Sequence, residues 1–261
     1  MPDNIEPEKD GGMAWYRDWK RRRTLARERI DHDLWQTVVG KLDFLRGLTD
    51  ADLLRLREMT LLFLHEKEMH GAGELELSDE IRLSIAIQAG LPVLNLGLDL
   101  YDGWVGIIIY PGEFRVPRQE VDEDGVMHEF EDELSGEAWS DGPVILSWED
   151  VKQTGAGYNV VIHEFAHKIH MTRGEDEDYP APFPGMDTKV WKETLERDYR
   201  QFCKMVDAGV ETLIDPYAAE HPAEFFAVMS EMFFTDSAVL ERDWQDLYRQ
   251  LSLFYRQDPQ G

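Results

Sequence analysis

The sequence predicts an α+β fold, with helices first, a small mixed sheet in the middle and helices again. Three patterns carry that reading. Apolar residues recur at helical spacing over residues 33–70, short β-branched runs cluster between about 74 and 150, and helical periodicity returns from about 151. A length of 261 residues and a hydrophobic content of 43% suffice for one domain with a buried core. We therefore expect residues 13–261 to form a single domain behind a flexible tail, residues 1–12. Lys and Arg number 27 against 53 Asp and Glu, a formal net charge of −26. A field of that sign repels nucleic acid and anionic membranes, so neither is an expected partner.

In the helical part, residues 13–73, seven basic side chains open the domain: Arg17, Lys20, Arg21, Arg22, Arg23, Arg27 and Arg29. They read first as neutralising the protein's own acidic surface and second as a grip for an acidic partner. Leu34, Trp35, Val38, Leu42 and Leu45, then Leu53, Leu56, Leu61, Phe63 and Leu64, mark two helices meeting near Gly47, the second opened by Thr49. In the sheet part, residues 74–150, Leu75 and Leu77 flank an expected short strand. Ser78 caps a helix running to about Ala89, which Gly90 and Pro92 end. Residues 104–110 (WVGIIIY) form the clearest strand, stopped by Pro111-Gly112. Residues 119–137 hold nine acidic side chains and read as a hairpin with a charged edge; they lack the spacing of a calcium loop. Residues 144–148 form a further strand. The single cysteine, Cys203, forms no internal disulfide, the first residues carry no export-signal pattern, and apolar runs stay short of about 18 residues. A cytoplasmic protein is the expectation.

The third part, residues 151–261, carries the chemistry. His163-Glu164-Phe165-Ala166-His167 is an HExxH sequence inside the apolar stretch YNVVIHEFAHKIHM. Positions four apart on an α-helix share one face, so His163 and His167 can aim two imidazoles at one metal ion, for which zinc is the usual choice. Glu164 falls beside the metal, where it can take a proton from a water. The alternative is a buried helix with two satisfied histidines. A catalytic zinc needs one more protein ligand. His170 is out of reach, because seven residues of helix rise roughly 10 Å. Residues 217–234 (YAAEHPAEFFAVMSEMFF) form a second apolar helix with Pro222 near its start and Glu224 and Glu231 as its acids. Glu224 is the candidate third ligand, or a helix-start residue turned back on its own backbone; Glu231 either supports a ligand histidine or is exposed.

These segments resemble the Mlc titration factor A family of zinc peptidases. NVVIHEFAHKIHM, YAAEHPAEFFAVMSEMFF, GLPVLNLGLDLYDGW, IIIYPGEF and GPVILSWEDV match that family's segments in order, from about residue 30 to residue 259. The two metal helices also resemble those of the anthrax lethal factor catalytic domain. The resemblance implies a zincin-like metallopeptidase domain with one Zn2+ held by His163, His167 and Glu224, Glu164 as general base and Tyr217 as oxyanion donor. It further implies aminopeptidase-like activity on a peptide substrate and, as a second function, binding of a transcriptional repressor resembling Mlc. His170 departs from the family pattern, which has an acid there. An extended peptide could add to the sheet at residues 144–148, and the acidic stretches 119–137 and 175–178 are candidate sources for holding a free amino terminus. The competing reading is a non-catalytic repressor-titrating protein with a structural zinc, which would have no need of a base at Glu164.

Overall fold

The computed structural model describes residues 10–121, 127–139, 142–155, 157–174 and 177–260, with side chains undescribed at 10–14 and 115–134. Helices α1 (Asp10–Arg27), α2 (His32–Val39) and α3 (Asp50–Glu66) come first, followed by strand β1 (Glu68–Gly71) and helix α4 (Asp79–Gly90). Strands β2 (Gly106–Tyr110), β3 (Phe114–Val121), β4 (Met127–Leu134), β5 (Gly136–Ala138) and β6 (Val144–Ser147) make the middle. Helices α5 (Trp148–Lys152), α6 (Val160–Thr172), α7 (Thr188–Asp207), α8 (Pro222–Thr235), α9 (Ser237–Asp243) and α10 (Gln245–Tyr255) complete it. The arrangement is α+β, mostly helical with a small mixed sheet. No described helix is long and apolar enough to cross a membrane.

Local chemistry sets the helix starts. The Thr49 and Ser78 hydroxyls accept the backbone N–H groups of Asp52 and Ile81 at the first turns of α3 and α4. Asn159 does the same for Ile162 in α6, and Pro222 occupies the first turn of α8, where a missing N–H costs nothing. Helix α1 already begins at Asp10, so residues 10–12 of the expected tail are helical; residues 1–9 lie outside the described residues. Two of the seven basic side chains neutralise the protein's own acids: Arg17 pairs with Asp99 and Asp102, and Arg21 with Glu66 and Asp99.

The main sheet has the order β1-β2-β6-β5, the first three strands parallel and β5 antiparallel to β6. Two expectations are corrected here. The first strand lies at Glu68–Gly71, not around Leu75 and Leu77, because the chain turns back after it. The Leu75 N–H bonds the Ala72 carbonyl, and the Leu75 carbonyl lies so close to Gly71 that a Cβ there would sit 1.9 Å from it. Residues 144–147 are an interior strand, bonded on one side to β2 and on the other to β5, so they offer no free edge to a peptide. The expected hairpin is present as β3–β4, with Phe114 opposite Leu134 and Val121 opposite Met127; its tip, 122–126, lies outside the described residues.

One apolar cluster runs from Trp35 in α2 to Tyr255 in α10. Helix α6 crosses it, packed against α8 and α4 on one side and against β5 and β6 on the other. Phe165, within the HExxH sequence, is fully buried, its ring centroid 4.9 Å from Tyr101, 5.6 Å from Phe63 and 5.7 Å from Trp104. Lys67 and Lys168 lie over the Trp104 ring, their Nζ atoms 3.8 and 4.6 Å from its centroid. The metal-motif helix is thereby fixed by aromatic packing that its histidines do not share. Phe165→Ala removes the hub of this cluster and should cost about 3–5 kcal/mol of unfolding free energy in urea titration; an unchanged midpoint would contradict the packing described.

Candidate metal centre

Three side chains from two helices meet in a small triangle. His163 and His167, one turn apart on α6, place their Nε2 atoms 3.1 Å from each other. Oε2 of Glu224, in the first turn of α8, lies 3.0 Å from the His163 Nε2 and 3.2 Å from that of His167. Among the described residues these three form a group whose ligand atoms could hold a metal ion. Tetrahedral donors at bonds of about 2.0–2.1 Å stand about 3.3 Å apart, and the observed edges nearly match that figure. Two imidazoles and a carboxylate converging this closely are a donor set that fits a metal ion.

The tautomer is set from behind. Glu231, seven residues after Glu224 and on the same face of α8, is 3% exposed. The His163 Nδ1–H donates to its Oε1 at 2.7 Å, which turns the His163 Nε2 lone pair toward the triangle. The other Glu231 oxygen accepts the Asn159 backbone N–H at 2.5 Å. The Asn159 side chain accepts the Ile162 N–H and donates to Gln88 of α4. The start of α6, the middle of α8 and the body of α4 are thus held by one buried network.

Charge follows from these contacts. Burial opposes ionisation of Glu224, but hydrogen bonds to His163 and His167 outweigh it and hold the carboxyl well below its usual range. Burial likewise disfavours charge on His163, and here hydrogen bonds to Glu224 and Glu231 win, raising its pKa well above that of an ordinary imidazole. His167 moves down, chiefly by burial. Glu164 is not one of the three and lies against Gly136 of β5, 4% exposed. Burial foremost pushes its carboxyl up to about 8, opposed by His163 and supported by the negative charge of Glu224, Glu231 and Glu137.

The remaining expectations separate cleanly. Tyr217 lies on a 3₁₀ turn, Pro216–Ala219, held by an Asp215 carboxylate that accepts its backbone N–H; its ring is 6.1 Å from that of His163 and 41% exposed. His170 is buried elsewhere, its Nε2 bonded to the Glu177 carbonyl at 2.8 Å. Of the acidic stretches considered for an amino terminus, residues 122–126 and 175–176 lie outside the described residues. A cleft of about 640 Å³ joins Gly136, His163, Glu164, Leu213 and Tyr217.

Three contributors escaped sequence reasoning. Asn159 carries a helix-start signal before an apolar run, which could have been read. Lys168, four residues after Glu164, has its ammonium on the Trp139 and Gly142 carbonyls and ties the β5–β6 connection to α6; a lysine inside so apolar a helix was the available signal. Gly136 gave none, yet a Cβ on it would lie 2.4 Å from Oε1 of Glu164.

Two histidines a helical turn apart, facing a glutamate from a second helix and flanked by a buried acid that stays off the triangle, define a class: the metallopeptidases. The chain belongs to the glucose-regulated metallo-peptidase M90 family, whose model matches residues 16–256. Its relatives include Mlc titration factor A of Pectobacterium atrosepticum, 36% identical over 230 residues that cover 86% of each chain. Mlc titration factor A of Yersinia pestis is 34% identical over 229 residues, 86% of this chain and 84% of that one. An uncharacterised Synechocystis protein is 34% identical over 255 residues, 95% of this chain and 92% of its own.

The tightness at Gly136 gives a direct check. Gly136→Ala forces Glu164 or β5 aside and should lower stability by about 1–3 kcal/mol in urea unfolding. A variant as stable as the parent would mean that the strand does not rest on the acid.

Proposed function

We propose that the chain is a zinc peptidase, aminopeptidase-like, in which His163, His167 and Glu224 hold one Zn2+, Glu164 is the general base and Tyr217 the oxyanion donor. The observation that carries this reading is the triangle of His163, His167 and Glu224 atoms, with edges of 3.0–3.2 Å, beside a buried acid. When bound, the zinc supplies Lewis acidity, polarising a peptide carbonyl and acidifying water.

The protein's groups do the rest. Glu164, buried beside the triangle and on the cleft lining, accepts the proton of the attacking water and passes it to the departing amine. The Tyr217 hydroxyl, at the cleft mouth, donates to the oxygen on which negative charge develops. Glu231 holds His163 in the tautomer that keeps Nε2 free to ligate. The peptide adds to β5, which replaces residues 144–148 in this role. Trp139 N–H bonds the Pro143 carbonyl and Ser147 N–H the Ser135 carbonyl, so alternation turns the N–H and C=O groups of Gly136 and Ala138 away from β6. Gly136 itself lies against the Glu164 carboxyl. A free amino terminus would find Asp215 and Glu220 on the cleft lining. A cytoplasmic location is part of this reading.

A second reading draws on the relatives' name, Mlc titration factor A. Binding of a repressor resembling Mlc is compatible with peptidase activity; a purely titrating protein with a structural zinc is the alternative. Glu164 weighs against that alternative, because a structural site has no use for a buried proton acceptor.

Metal analysis should find one zinc per chain. Glu164→Gln should keep that zinc and lose hydrolysis of short peptides by about 10²–10⁴-fold. Activity surviving in that variant would sink the mechanism, and zinc retained in Glu224→Ala would sink the ligand assignment. Glu231→Gln should weaken zinc affinity by about 10–100-fold. Tyr217→Phe should lower kcat by about 10²–10³-fold with zinc unchanged. Matched peptides with free and acetylated amino termini test the aminopeptidase preference, and equal rates would remove it.

A further inference from the structure

We infer that the connection between α7 and the Pro216–Ala219 turn forms an apolar subsite, built on Val210, Leu213 and Pro216, for a bulky aliphatic or aromatic side chain of the peptide. This rests on the peptidase reading above. Leu213 is 68% exposed and Val210 48%, and both lie within seven residues of Tyr217 in sequence. A single exposed leucine is ordinary on a protein surface. These lie instead in a recess of about 650 Å³ whose lining includes Val206, Val210, Leu213 and Pro216, with Glu211 and Thr212 as its polar members. Thr212, Leu213 and Pro216 also line the cleft that holds His163 and Glu164, so the recess adjoins that cleft.

The backbone here is built, not slack. Helix α7 ends with the Gly209 N–H on the Val206 carbonyl and the Val210 N–H on the Met205 carbonyl, Gly209 adopting φ of 66°. That helix-ending motif usually brings an apolar residue such as Val210 back against the last turn, which accounts for Val210 alone. It does not account for Leu213. Ile214, next to it, is 2% exposed and anchors the segment in the core, with its N–H on the Thr212 hydroxyl. Residue 213 is thereby turned outward over the cleft. Its occupant follows from continuity: a peptide paired along β5 runs past this wall, and an apolar side chain gains by leaving water there. Glu211 at the same recess disfavours an acidic side chain.

The test uses three series of tripeptide amides, X-Ala-Ala, Ala-X-Ala and Ala-Ala-X, with X as Leu, Phe, Ser or Asp. Hydrolysis is measured with the zinc-loaded wild type and Leu213→Glu, and binding by calorimetry to zinc-loaded Glu164→Gln and to Glu164→Gln combined with Leu213→Glu. In one series Leu and Phe should exceed Ser about tenfold or more in kcat/KM, with Asp lowest. Leu213→Glu should remove that preference mainly through KM, at unchanged zinc content and melting temperature. Indifference to X in all series, or a preference that survives Leu213→Glu, overturns the subsite. If the wild type cleaves nothing, the peptidase reading falls and binding decides: a preference for Leu and Phe on Glu164→Gln that the double variant loses keeps the subsite, and its absence removes it.

Discussion

A single buried carboxylate holds the two halves of the metal centre in register. Glu231 is buried, and both its oxygens are committed, one to the His163 imidazole and one to the N–H that opens α6. A buried carboxylate without such partners would cost several kcal/mol. The energy that would otherwise oppose folding is thus turned into orientation: α6 is fixed in rotation about its axis, and α8 is fixed in height against it. Glu224 reaches the histidines because Glu231, two turns further along the same helix, already has its own partner. Asn159 extends the same constraint to Gln88 in α4, so three helices share one hydrogen-bonded junction.

Around that junction the molecule divides labour by face. One side of α6 is packing, with Phe165 and Ile169 fully buried. The other side meets the sheet, where Glu164 lies under Gly136 and Lys168 holds the connection that follows β5. Glu164, the strand above it and the two imidazoles of the triangle are therefore referenced to one helix. This is the geometry that catalysis by positioning demands, since small displacements of a reacting group are costly.

What was legible in the sequence was whatever depends on local periodicity. The pairing of His163 with His167 and of Glu224 with Glu231 on common faces follows from helical spacing, and Thr49, Ser78 and Pro222 announce their helices by capping chemistry. The bringing together of residues 163 and 224 across 61 positions rested on the expense of a carboxylate in an apolar helix and on resemblance, not on spacing, because tertiary packing sets it. Strand placement failed for the same reason. Leu75 and Leu77 have strand composition, yet the more polar Glu68–Gly71 segment takes the place beside β2. Residues 144–148 looked like an edge because nothing in their own sequence tells that three residues of β5 will cover them. Gly136 was silent, since its importance lies in an atom it lacks.

The order of the ligating elements along the chain has a consequence for synthesis. A chain emerging from the ribosome presents α6, with both histidines, well before α8 supplies Glu224 and Glu231. During that interval the two imidazoles lack their carboxylates, and the apolar face of α6 lacks Phe225, Phe226 and Phe233, which α10 in turn closes over with Phe254 and Tyr255. Completion of the triangle and closure of the core therefore both wait for the last helices, α8 and α10.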